Sequence, residues 1–175
     1  MPVTVPPGLK AEGNSKVAFV LTIANPSAPT VAEVTAASGV DISFFLMAGA
    51  FQPNQEQARG DDRRYASKQV FQTLGRKNAS IADIRYIADP QAAPGTANNK
   101  AMEVLAEGQT GFAVVRYGLD AETVDFTAAQ KVDVWPVICG VQNKTPLAED
   151  DEFAKITITQ ALAVTGLVRA QVALA

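Results

Sequence analysis

Ile156-Thr157-Ile158-Thr159-Gln160-Ala161-Leu162-Ala163-Val164-Thr165-Gly166-Leu167-Val168-Arg169-Ala170-Gln171-Val172-Ala173-Leu174 holds two runs of alternating apolar side chains. Ile156, Ile158, Leu162 and Val164 share one face of the first run; Val168, Ala170, Val172 and Leu174 share one face of the second. A period of two is the mark of a strand buried on one side. Thr165-Gly166 between them reads as a tight turn, so the second run is expected to answer the first.

Strand signals continue upstream. Lys131 to Val141 is apolar on both faces, which predicts a strand covered on two sides, and Pro136 within it predicts a bulge or an edge. Phe112 to Tyr117, Ala79 to Ala88 and Val70 to Leu74 also read as strands. So do Lys16 to Ile23 and, beyond the Asn25-Pro26-Ser27-Ala28-Pro29 turn, Thr30 to Ala36. Asp41 to Leu46 fits either a helical turn or a strand. The spacing predicts one helix over Ala97 to Glu107, with Thr96 as its cap, Ala97, Ala101, Val104 and Leu105 as its apolar stripe and Gly108 as its stop.

Residues 1–15 are rich in Pro and Gly and read as an extended arm. Gln52 to Lys68 is a long charged loop; it either forms an extended hairpin or orders against a partner, because structureless loops of that length are unusual. The expectation is one mainly β domain over 16–175: two packed antiparallel sheets, a sandwich or barrel of seven to nine strands, with one flanking helix.

Composition narrows the function. The chain has 175 residues, 47% of them hydrophobic and 19% charged, which suits a globular domain. The net charge is -3, and Arg63-Arg64, the densest basic pair, directly follows Asp61-Asp62, so there is no basic stripe to grip nucleic acid. The first residues have neither a basic start nor an apolar run, so no signal peptide is expected, and no apolar stretch is long enough to cross a bilayer. Folding in cytoplasm is the expectation.

The search for chemistry returns nothing. Histidine is absent, which removes imidazole bases, Ser-His-Asp and Cys-His pairs and histidine metal ligands. Cys139, the single cysteine, sits in an apolar strand without a basic helper and reads as a buried structural thiol. Gly108-Gln109-Thr110-Gly111 is a turn and no phosphate loop. Glu149-Asp150-Asp151-Glu152 lacks the spacing and glycine of a calcium loop. Arg59-Gly60-Asp61 spells an integrin tripeptide, taken as chance without an export signal. No catalytic residue, cofactor or metal site is expected, and the chain is read as no enzyme.

The arm, the charged loop and the apolar last strand suit assembly with copies of the same chain. Here the sequence resembles a known family. Gly8-Leu9-Lys10-Ala11-Glu12-Gly13-Asn14-Ser15-Lys16-Val17 and Thr22-Ile23-Ala24-Asn25-Pro26-Ser27-Ala28-Pro29-Thr30 look like the major tail proteins of long-tailed siphophages infecting actinobacteria. So do Lys68-Gln69-Val70-Phe71, Asp133-Val134-Trp135-Pro136-Val137-Ile138-Cys139-Gly140 and Val164-Thr165-Gly166, in order along nearly the whole chain. The resemblance implies a tail-tube fold, six subunits per ring, and stacked rings forming a hollow conduit for DNA ejection. It also implies tape-measure, tail-terminator and distal tail proteins as partners, with DNA passing through unbound and no membrane involved.

Within that picture Arg59, Asp61, Asp62, Arg63 and Arg64 are candidates for ring-to-ring pairing. Asp83 and Arg85, or Lys155, Thr157 and Thr159, are candidates for the lumen face. The alternatives are a tail terminator or capsid decoration protein on a related fold, or a carbohydrate-binding module. The last needs an exposed aromatic platform, and Trp135 lies in an apolar strand.

Overall fold

Ser15–Val20 forms strand β1, and it buries both faces: Val17 and Phe19 on one side, Ala18 and Val20 on the other. The computed structural model describes residues 5–37, 39–145 and 155–175. Among these, β1 sits in a seven-stranded antiparallel sheet ordered β2-β1-β6-β7-β8-β5, with β9 also pairing β7. The other members are β2 (Gly39–Asp41), β5 (Ile84–Ile87), β6 (Thr110–Tyr117), β7 (Lys131–Thr145), β8 (Thr157–Val164) and β9 (Arg169–Ala173). A separate antiparallel hairpin pairs β3 (Pro53–Asp62) with β4 (Phe71–Ile81). The chain is mainly β, in two antiparallel sheets, the larger curled into a half-barrel.

Each face of the large sheet carries its own core. Phe19, Ile84, Tyr86, Trp135 and Val137 pack on one face beneath helix α2 (Lys100–Val104), through Ala101 and Leu105. Val20, Val114, Val132, Val134 and Phe126 pack on the other with helix α1 (Val31–Thr35) through Val34. This two-sided cover explains why β7 is apolar on both faces. The hairpin joins the first core only at its base, through Ile81 and Ala79.

Several local expectations change. Thr30 to Ala36 is helical, because Thr30 and Glu33 form a capping box: the Glu33 N–H donates to Thr30 Oγ1 at 3.2 Å, and the Thr30 N–H donates to Glu33 Oε2 at 2.8 Å. Those bonds outweigh the β-branched residues that suggested a strand. The second helix is shorter than Ala97 to Glu107: a 3-10 turn over Ala97–Asn99 leads into α2, which ends at Val104, and Thr96 makes no side-chain cap bond. Gly108 does not stop the helix, which is capped at Leu105; it lies in a separate turn closed by the Gln109 N–H to the Ala106 carbonyl, at a φ of 76°. The 52–68 segment is no loop but largely β3, one half of the extended hairpin; β4 runs from the expected Val70 to Leu74 strand into the Ala79 to Ala88 one, which breaks at Ala82-Asp83 and continues as β5 in the large sheet.

The largest change concerns the closing segment. β8 and β9 do not form a hairpin; both pair with β7, end to end along one edge, Val137 facing Val164 and Val134 facing Arg169. The Thr165 N–H donates to the Pro136 carbonyl at 2.9 Å. Donor and acceptor of one residue point to the same neighbour in an antiparallel ladder. The donor that Pro136 lacks therefore faces Thr165-Gly166, where the edge strand departs from regular pairing. An interruption is cheapest opposite a residue that could not donate anyway.

A buried cation organises the 118–130 loop. Lys16 and Arg116 stand opposite one another in the β1–β6 ladder, and Arg116 is completely buried. Its guanidinium donates to the carbonyls of Val124 and Asp125 at 2.9 Å each, of Asp120 at 2.9 Å and of Leu119 at 3.3 Å. Lys16 Nζ donates to Asp125 Oδ1 at 2.8 Å, and the two cations approach the Phe126 ring to within 5.9 and 5.5 Å. The like-charge pair is thus offset by carbonyl dipoles, a carboxylate and a π face.

This arrangement predicts acid sensitivity. The Lys16 hydrogen bond and then its charge hold Asp125 below the usual aspartate range, and the Thr123 and Glu122 N–H groups do the same for Asp120. Carboxylates depressed by folding stabilise the fold above their unfolded pKa, and the contribution fades as pH falls through the folded value. Hydrogen exchange of the 118–130 amides, corrected for intrinsic rate, should show full protection above about pH 4 and loss below it. Protection unchanged at about pH 2 would refute the clamp.

Candidate assembly surfaces

The β3–β4 hairpin is exposed along nearly its whole length, ten residues of β3 and eleven of β4. At the usual rise it reaches about 30 Å from its base. Glu56, Arg59, Asp61 and Asp62 on β3 and Arg76 and Lys77 on β4 keep it soluble, while Leu74 is 69% exposed. Two strands without a core beneath them are marginal alone.

The five charged candidates all fall toward the tip. Arg59 faces Leu74, Asp61 faces Gln72 and Asp62 faces Phe71; Arg63 and Arg64 begin the turn. Arg64 already pairs with Asp62, Nη2 to Oδ2 at 2.6 Å, and Gln72 Nε2 donates to Asp61 Oδ1 at 3.4 Å. The other candidates meet at the sheet edge. Arg85 is the ladder partner of Thr159, and its Nε donates to Thr157 Oγ1 at 3.0 Å. Thr159 lies 3.3 Å from Thr145, hydroxyl to hydroxyl; Thr157 is buried, while Asp83 and Lys155 are exposed. The run Glu149 to Glu152 lies outside the described residues.

Two open clefts flank Phe44, which is 60% exposed. One, about 700 Å³, is lined by Leu46, Met47, Phe51 and the chain from Ala11 to Gly13; the other, about 510 Å³, by Phe45, Ile87, Ala88 and Ile156. Glu12 charges the rim of the first, Asp89 and Lys155 that of the second. Sequence reasoning passes over these clefts, because nonadjacent segments build them.

Neither cleft carries chemistry. Cys139 is buried, which pushes its thiol up to about 11, so it is no thiolate near neutral pH. Trp135 is buried and offers no sugar platform. A projecting charged hairpin, exposed apolar clefts and two packed cores define a structural assembly subunit. The phage tail tube protein family matches residues 2–175, and the chain belongs to that family, a structural and non-enzymatic component of the virion tail. The fold is similar to that of a chain in the cryo-EM structure of the anti-feeding prophage (AFP) baseplate, 6-fold symmetrised. The TM-score is 0.55 at 12% identity, over 95% of this chain and 96% of that one, a likeness of fold. No curated protein sequence matches the chain.

Proposed function

We propose that copies of this chain form six-subunit rings that stack into the hollow tail tube of a siphophage infecting actinobacteria, the conduit for DNA at ejection. The observation that carries the reading is the unsupported hairpin, which has no core of its own and needs a neighbour. Family membership and the six-fold arrangement named for the AFP baseplate support it. The net charge of -3 suits a wall that lets phosphate pass without holding it.

In this reading the chain expected as an arm over 1–15 is free only ahead of about Ala11, because Ser15 opens β1 and the Gly13 and Asn14 carbonyls accept from Ala121 and Gly118, and 16–175 form the tube domain. Arg85 and Thr159, with Asp83 and Lys155 nearby, face the lumen; Thr157 is buried and instead accepts the Arg85 hydrogen bond from beneath. Arg59, Asp61, Asp62, Arg63 and Arg64 make ring-to-ring contacts, both signs being available for head-to-tail pairing. The tape-measure protein fills the tube before ejection, the terminator and distal proteins close its ends, and assembly takes place in host cytoplasm.

Reversing Asp61 and Asp62 to lysine tests the hairpin assignment. Both lie on the exposed hairpin, so thermal stability should stay within about 1 kcal/mol. Tube length in negative-stain micrographs should collapse. Tubes of normal length would remove this loop from the stacking contact.

A further inference from the structure

We infer that the 118–130 loop is a latch for the N-terminal segment, and that loop and segment close and open as one unit held from inside by Arg116 and Lys16. Two loop amides hold the root of the segment. The Ala121 N–H donates to the Gly13 carbonyl at 2.8 Å, and the Gly118 N–H to the Asn14 carbonyl at 2.7 Å. The root is itself folded over, around Gly13 at a φ of 75°. Asn14 donates through its backbone N–H to the Ala11 carbonyl and through Nδ2 to the Lys10 carbonyl, at 3.2 and 2.9 Å. Leu9 then lies against Gly118, so close that a Cβ at that glycine would sit 3.3 Å from Leu9 Cδ2.

Residues 5–13 are exposed, so no core of their own fixes them and their placement depends on those bonds. The loop that supplies the bonds is fixed from its other side. Arg116 of β6 holds the Leu119, Asp120, Val124 and Asp125 carbonyls, and Phe126 is buried in the second core. Asp125 faces Lys16 of β1 at 2.8 Å and Arg116 of β6, and Asp41 of β2 shares Lys16 at 3.4 Å. Among the described residues these side chains make no hydrogen bond to 5–14, so a change at Asp125 reaches the segment only through the loop. A segment rooted in this way leaves the domain in one direction, and part of its ordering entropy is met before any partner binds. Opening the latch frees that direction and uncovers Ala121 and Phe126 together. The device is complete within a single subunit.

Trypsin cleavage after Lys10 reads the latch, because the folded root must open before the bond can be cut. Cleavage after Arg63 or Arg64 on the exposed hairpin is the internal reference, and far-UV circular dichroism verifies that each full-chain variant folds. Asp120 Oδ1 accepts from the Glu122 and Thr123 N–H groups, which makes Ala121 the first residue of a capped turn, where proline fits. Ala121→Pro therefore removes the bond to Gly13 and should speed cleavage about three- to tenfold, the worth of one hydrogen bond. Asp125→Lys reverses an exposed charge facing Lys16 and Arg116, and should speed the same cleavage about threefold or more. Exchange of the 118–130 amides should quicken in step, since coupling is reciprocal. A folded Asp125→Lys chain cut after Lys10 at the unsubstituted rate would overturn the latch, as would an Ala121→Pro chain without effect. An unsubstituted chain cut there as fast as a free peptide of residues 5–16 would overturn it too.

Discussion

Replacing Arg116 by methionine should cost about 3–5 kcal/mol of stability, the largest effect expected of any single change in this chain. The guanidinium is completely buried and serves four carbonyls between Leu119 and Asp125. Methionine fills similar space and donates nothing, so those carbonyls must either stay unpaired or open to water. Opening exposes Phe126, which is otherwise buried against Val114 and Val132. Arg116→Lys should recover little, since one ammonium cannot span carbonyls that a planar fork reaches from two sides. Urea unfolding, with hydrogen exchange of residues 118–130, checks the result. A midpoint shift worth less than about 1 kcal/mol would mean that the carbonyls find other partners.

Gln160→Leu should cost about 3 kcal/mol, for a related reason at the opposite end of the sheet. Gln160 is completely buried; its Nε2 donates to the Leu105 and Gly140 carbonyls at 2.8 Å each, and its Oε1 accepts from the Tyr86 hydroxyl at 3.0 Å. Gln142 Nε2 joins the network, donating to the Tyr86 hydroxyl at 3.1 Å, to Met102 O at 2.8 Å and to Leu105 O at 3.0 Å. These bonds tie the end of α2 to the bulge in β7 between Cys139 and Gln142. Burial pushes the Tyr86 phenol well above its usual range, so it remains a donor throughout the accessible pH range. Leucine removes an acceptor from Tyr86 and a donor from Gly140 at once. Thermal unfolding should fall by roughly 6–12 °C, taking about 2–4 °C per kcal/mol for a domain of this size. A loss below about 2 °C would show that the network is replaceable.

Neither residue is visible to a pattern search. Arg116 follows Phe112-Ala113-Val114-Val115 and looks like the polar end of a strand; its partners are backbone carbonyls, which carry no sequence signal. Gln160 interrupts an apolar face for partners from three other elements. The central strands were legible because both their faces are covered, so Val132, Val134 and Val137 leave little choice. Pro136 was legible as a break in pairing, though not as a bulge: the bulges of β7 lie at Val132–Val134 and Cys139–Gln142, and Pro136 sits where β8 gives way to β9.

The hairpin was half legible. Its charge showed that it lies outside the core, but a strand exposed on both faces has no alternation to read, so β3 resembled a loop. Thr165-Gly166 misled for the reverse reason. Its local turn chemistry was sound, whereas the partner of the following strand is set by β7, at least 35 residues away in the chain, the separation of the Val134–Arg169 pair. Thr30 to Ala36 misled because Val31, Val34 and Thr35 favour a strand until the Thr30–Glu33 reciprocal bonds are counted.

For assembly, the sequence and the fold agree on the hairpin as a spare surface, and the fold adds the clefts beside Phe44. The hairpin outside its base and Phe44 between its clefts are exposed in the single subunit. Cryo-electron microscopy of the purified full chain over a wide concentration range is the most direct test. The account predicts hollow tubes built of stacked six-fold rings, with each β3–β4 hairpin seated on a neighbouring subunit. Single rings that never stack, or monomers at every concentration with the hairpin free, would contradict it.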